Sequence, residues 1–185
     1  DMVMSLEVVT PEGEIINTLP VPRHASGPDL TQVYVGSEGT LGVMTKATLK
    51  IHPIPESRKF HAFLFKDMHT AMAAGAEIMS TRLRPTVIRL YDEPETAKVI
   101  KKVLDIDRQG SYLVFGFDGA EDMVDLEMRK ACAICAKQDP EDLGTQAGET
   151  WWDNRYKFFY PPYMFQLPQA FGTLDTVGTF ANIEK

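Results

Sequence analysis

Cysteine is nearly absent from this chain. Cys132 and Cys135 are two of 185 residues, too few for a disulfide scaffold, and with no secretory leader ahead of them a reducing compartment, the cytoplasm, is expected. Long apolar runs are missing as well. The longest, such as Tyr112 to Phe117, are strand-sized, far short of the roughly 18 residues a membrane-spanning helix needs, so no transmembrane segment is expected. Basic charge is thin: 19 Lys and Arg stand against 26 Asp and Glu, a net charge of −7. That balance lacks the electrostatic footprint of a nucleic-acid binder. The four histidines, His24, His52, His61 and His69, fall in no metal or triad spacing, and no metal is expected; His24 alone lies in a loop that could face either a ligand or solvent. An initiator methionine is lacking too, and the chain reads as an internal fragment whose residues can have partners on other sequence. What is present is 44% hydrophobic residues, enough for a real core.

Met4 to Val9 and Glu14 to Leu19 flank Thr10-Pro11-Glu12-Gly13, which predicts a β-hairpin. Pro20 to Asp29 is proline-rich and predicts a long loop. Val43 to Ile51 alternates like a strand. Pro53-Ile-Pro-Glu56 marks a domain border, beyond which strands alternate with helices. Strands are expected at Lys59 to Phe65, Val87 to Tyr91 and Ser111 to Phe117. Helices are expected from an Asp67 cap to about Thr81, from Asp92 or Glu93 to Leu104, and from Ala120 to about Lys137. A weak strand is expected at Thr145 to Ala147. The order fits an α+β fold with a ferredoxin-like split βαβ unit, its helices on one face of an antiparallel sheet. The tail holds Trp151, Trp152, Tyr156, Phe158, Phe159, Tyr160, Tyr163, Phe165 and Phe171, which suit a core or an interface, or else the wall of a ligand cavity.

The most informative stretch is Gly36-Ser37-Glu38-Gly39-Thr40-Leu41-Gly42, with three glycines in seven residues. Such a run can present backbone N–H groups to a phosphate or a flavin, or can simply be a glycine-rich turn before a strand. It is neither the phosphate loop of nucleotide hydrolases nor the dinucleotide fingerprint. Arg89, at strand spacing among apolar neighbours, needs a partner: an ion pair with Asp92, Glu93 or another carboxylate, or a substrate anion. Cys132 and Cys135 share a helix face with no second ligand pair, which favours packing over zinc or redox chemistry. Lys98, Lys101 and Lys102 read as a solvated helix face.

The run from Asp29 to Lys50, through Val-Gly-Ser-Glu-Gly-Thr-Leu-Gly-Val-Met-Thr, resembles the signature of the FAD-linked oxidases of the vanillyl-alcohol oxidase (PCMH) type. That family includes D-lactate dehydrogenases, the glycolate oxidase flavin subunit and alkyldihydroxyacetonephosphate synthase. Pro22 to Asp29 and Glu7 to Gly13 resemble the last most. The resemblance implies FAD as cofactor, residues 1 to 55 as the end of a PCMH-type FAD-binding domain, and residues 57 to 185 as the start of the substrate cap. It further implies that Glu38, Gly39, Thr40, Leu41, Gly42, Val43 and Met44 lie along the flavin. Arg84 to Asp92 resembles an arginine-bearing active-site stretch of the synthases, which implies that Arg89 orients the substrate anion. A further synthase arginine is matched here by Leu167, which favours a smaller or less charged substrate.

The expected activity is oxidation of a small-molecule hydroxy acid or alcohol by hydride transfer to the flavin, with no general base assignable. A homodimer is possible. The alternatives are the synthase's non-redox acyl-to-alkyl exchange and a non-catalytic ferredoxin-like interaction module. The pyrophosphate-gripping glycine loop and the histidine-containing C-terminal segment of the family are absent from the sequence, so the isolated chain is expected to bind FAD weakly or not at all and to be inactive.

Overall fold

The computed structural model describes residues 2–21, 24–157, 177–179 and 182. They fall into two units, Asp1–Ile54 and Pro55–Lys185.

In the first unit, β1 (Val3–Val9) pairs antiparallel with β2 (Ile15–Asn17), and the Thr10–Gly13 turn between them closes through the Gly13 N–H donating to the Thr10 carbonyl. The expected hairpin is present. Helix α1 (Leu30–Tyr34) follows the expected loop, capped by the Asp29 carboxylate, which accepts from the Thr31 N–H at 3.1 Å. Strand β3 (Val43–Leu49) pairs with the other edge of β1, giving the order β2-β1-β3. Leu6 and Val8 are buried, whereas every residue of β3 is exposed.

The second unit has the sheet order β5-β6-β4-β7, built from β4 (Ser57–Phe65), β5 (Val87–Tyr91), β6 (Ser111–Gly119) and β7 (Glu141–Leu143), all neighbours antiparallel. This is the ferredoxin-like split βαβ arrangement, in which each crossover helix skips one strand. Helix α2 (Met68–Ser80) starts at Asp67, whose carboxylate accepts from the Thr70 N–H at 2.8 Å. After β5, Asp92 caps α3 (Glu93–Glu95), which continues through a π-helical turn, Thr96–Ile100, into α4 (Lys101–Leu104). Helix α5 (Glu121–Ala136) follows β6, and α6 (Gly144–Asn154) follows β7.

Two expectations are corrected here. The sheet is covered on both faces rather than one. Phe63, Phe65, Leu113, Phe115 and Phe117 pack against α2 and α5, while Ala62, Leu64, Tyr112 and Val114 face Trp151 of α6 and Ile100 of the π turn. Strand β6 is therefore buried without a break from Ser111 to Phe117, as its unalternating apolar sequence requires. The weak strand expected at Thr145 to Ala147 is helical, and the fourth strand lies earlier, at Glu141–Leu143. Gly144 and Gly148 disguise α6 as a non-helical segment. Gly148 is there because the helix lies so close to β4 that a Cβ would stand 2.6 Å from the His61 nitrogen. Among the described residues no helix is long and apolar enough to cross a membrane.

Candidate functional site

The glycine-rich turn of the first unit joins α1 to β3. Its backbone takes positive φ at Gly36, Glu38, Gly39 and Gly42. Glu38, at φ 49°, holds the left-handed conformation without being glycine, which costs roughly 1–3 kcal/mol and is a feature concentrated at ligand sites. At Gly42 a side chain is barred twice, by φ 143° and by a Cβ position 2.5 Å from the Val9 carbonyl oxygen. The turn is closed by the Ser37 N–H donating to Tyr34 and the Thr40 N–H donating to Ser37, and the Thr40 hydroxyl also donates to the Ser37 carbonyl at 2.6 Å.

The N–H groups of Glu38, Gly39, Leu41 and Gly42 have no partner among the described residues. The Ser37 hydroxyl oxygen is buried and likewise unpartnered, as is His24 Nδ1. Beside these donors Leu41, Val43 and Met44 expose apolar surface. Free amide donors next to exposed apolar side chains suit a flat heteroaromatic ring with polar edges. These residues fit an FAD.

In the second unit Arg89 sits in β5 opposite Val114. It is exposed, which corrects the expectation of an arginine set among apolar groups: β5 is an edge strand, and its neighbours Ile88 and Leu90 point to the α2/α5 face while Val87 and Tyr91 pack toward α6. By strand alternation Arg89 belongs to the α6 face. It makes no hydrogen bond or ion pair within 4 Å among the described residues. Of the carboxylates nearby, Asp92 accepts from the Glu95 N–H at 2.8 Å and Glu93 from the Met68 N–H at 3.2 Å, while the Glu95 carboxyl feels the Arg89 charge. Desolvation holds the Glu95 carboxyl above its usual range and Asp92 adds to this, against an opposing pull from the Arg89 charge.

Sequence reasoning missed an aromatic stack on this same face. The Phe60 and Trp152 rings lie 4.7 Å apart at 22°, and the Arg155 guanidinium sits 3.6 Å from the centre of the Trp152 ring. The Trp152-to-Arg155 spacing of one helical turn was the available signal. Of the aromatic tail, Trp151 is buried and donates from Nε1 to the Tyr91 hydroxyl at 3.0 Å, while Tyr156 is exposed. Phe158, Phe159, Tyr160, Tyr163, Phe165, Leu167 and Phe171 lie outside the described residues, as do Pro22 and Arg23. Among the described residues no three His, Cys, Asp or Glu side chains gather as a metal site.

Residues 54–173 match the family of FAD linked oxidases, C-terminal domain. The chain belongs to the FAD-linked oxidases. It is 29% identical over its whole length to alkyldihydroxyacetonephosphate synthase of Dictyostelium discoideum, covering 34% of that protein. It is 35% identical over 80% of its length to glycolate oxidase subunit GlcD of Bacillus subtilis, covering 32% of it. A solved alkyldihydroxyacetonephosphate synthase superposes with a TM-score of 0.65 at 30% identity, over 85% of this chain and 31% of the other. A 4-ethylphenol oxidase from Gulosibacter chungangensis shares the fold, with a TM-score of 0.58 at 12% identity. The chain thus spans about a third of the length of these relatives. The cofactor of this FAD-linked oxidase is FAD.

Proposed function

We propose that the whole protein oxidises a small hydroxy acid or alcohol, and that Arg89 holds the anionic end of the substrate. The observation that carries this reading is the exposed guanidinium of Arg89, which makes no hydrogen bond or ion pair among the described residues and meets the Glu95 carboxyl only through its charge. An arginine so placed has its paired N–H donors free for a carboxylate. In this reading residues 1 to 55 close the FAD-binding domain and residues 57 to 185 open the substrate cap. The amides of Glu38, Gly39, Leu41 and Gly42 donate to polar atoms of the cofactor. Leu41, Val43 and Met44 lie against its ring and exclude water, and Thr40 braces the turn through Ser37. FAD, when bound, supplies the acceptor for the hydride lost from the substrate carbon.

A second reading, exchange of an acyl for an alkyl group without net oxidation, is favoured by the similarity to alkyldihydroxyacetonephosphate synthase along the entire chain.

The test is the visible spectrum of the full-length protein mixed anaerobically with a panel of D-2-hydroxy acids. Bleaching of the flavin band supports oxidation, and bound flavin that no hydroxy acid or alcohol reduces supports the exchange reaction. In the oxidase reading Arg89→Met retains FAD and weakens substrate binding at least about tenfold, as loss of a charge-assisted hydrogen bond does. Unchanged turnover in that variant sinks the assignment of Arg89.

A further inference from the structure

We propose that the cleft between α2 and α5 binds an apolar monocarboxylate of medium chain length, with Lys130 holding the carboxylate. The cleft lies on the α2/α5 face of the sheet, whereas Arg89 belongs to the α6 face, so this site stands apart from the reading of Arg89.

The cleft measures about 340 Å³ and opens where the C-terminal turn of α2 passes α5, a volume in the range of small-molecule sites. Its floor is apolar. Ile134 belongs to the core cluster beneath the two helices and Leu83 packs against that cluster, which gives the cleft a firm base. Ala133 lines it beside them with a side chain too small to fill the space. Along α5, Lys130, Ala133, Ile134 and Lys137 stand at i, i+3, i+4 and i+7, and so share one stripe of the helix. The two lysines mark the ends of the cleft, about 10 Å apart along the helix axis.

The wall opposite is built before any ligand arrives. Arg82, at φ 64°, holds the left-handed conformation without being glycine, a feature concentrated at ligand sites. The chain is pinned on both sides of it. The Thr81 N–H donates to the Glu77 carbonyl at 3.1 Å and the Thr81 hydroxyl to the Ile78 carbonyl at 2.8 Å. The Arg84 N–H donates to the Glu127 carboxylate of α5 at 3.3 Å.

Charge decides what fits. At one end Lys137 pairs with Glu77 across the cleft, so that end offers no net charge to a ligand. At the other end Lys130 is exposed and makes no hydrogen bond or ion pair within 4 Å among the described residues. A single unmatched ammonium over an apolar floor suits one anionic group followed by an apolar body. A second carboxylate would meet the Glu77–Lys137 pair instead of a free cation, and an amine in place of the acid would meet Lys130 with like charge.

The experiment is calorimetric titration of the full-length, FAD-loaded protein with octanoate, butyrate and octylamine, repeated in Arg89→Met so that an acid bound on the α6 face does not contribute. In both proteins octanoate is expected to bind saturably, about tenfold or more tightly than butyrate, as burial of the longer chain requires. Octylamine is expected not to bind. On the Arg89→Met background Lys130→Gln weakens octanoate about fivefold, the scale of an exposed ion pair, and Lys130→Arg retains it. Ala133→Phe fills the cleft and weakens octanoate while FAD stays bound. Loss of octanoate binding in Arg89→Met alone would assign the acid to the other face and overturn the proposal. Equal octanoate affinity with and without Lys130→Gln and Ala133→Phe would overturn it as well, and so would octylamine binding as tightly as octanoate.

Discussion

At the scale of single residues, environment decides which groups react. Cys132 and Cys135 belong to α5 and pack into the core between that helix and the sheet. Burial pushes the Cys135 thiol up to about 12, with Cys132 and Asp142 adding to it, and pushes Cys132 up to about 11, with Asp142 adding to it. Both are inert thiols at neutral pH. A raised thiol stabilises the fold below the unfolded-state value and loses that contribution as pH rises through the folded one. From about pH 9 upward, the unfolded chain therefore releases protons that the folded chain retains, and stability falls. Urea unfolding of wild type and of Cys132→Ala/Cys135→Ala between roughly pH 8 and pH 11 should show a shallower decline in the double variant. Equal slopes would mean that the thiols are accessible. His61 pairs with Asp142 at 2.6 Å, a link between β4 and β7 that no spacing in the sequence announces, because its partners are joined only by the fold.

At the scale of elements, α6 is the least legible and the most consequential. Its glycines argue against a helix on propensity alone, and Thr145 to Ala147 reads as a weak strand. The close approach to β4 overrides propensity: a side chain at 148 would collide with backbone at His61 and Phe60. Gly148→Ala is expected to cost about 1–3 kcal/mol or more, since backbone cannot yield as a side-chain tip can. Denaturant unfolding measures this, and a neutral result would refute the tight α6–β4 contact. Elements with strong local signals were legible by contrast. Asp67 marked the start of α2, and the turn of Thr10 to Gly13 set the hairpin. The unbroken apolar run of β6 itself requires two covered faces. Arg89 was legible as a site candidate from its strand position, but its exposure follows from β5 being an edge, which only pairing reveals. In the Phe60–Trp152–Arg155 stack only the Trp152-to-Arg155 spacing is local; Phe60 meets Trp152 across a long stretch of chain, which sequence alone does not reveal.

At the scale of the molecule, the two units are unlike. The first exposes Ile15, Val33, Val43, Met44, Leu49, Ile51 and Ile54, more apolar surface than so small a unit normally leaves to water. The second has a core on each side of its sheet. The resemblance carried in Val35 to Thr45 and the two-unit division both agree with a chain that spans about a third of its relatives.

The double burial of β6 also has a kinetic meaning. Its amides lie at the centre of a four-stranded sheet, hydrogen-bonded to β4 and β5 and roofed by helices on both sides. No local fraying uncovers them, so their deuterium uptake should follow only whole-unit opening, while β7 and the turn at Gly36 to Gly42 exchange through smaller excursions. Hydrogen–deuterium exchange read by mass spectrometry should find residues 112–117 the slowest in the chain. Early labelling there would show that the sheet opens strand by strand instead of all at once.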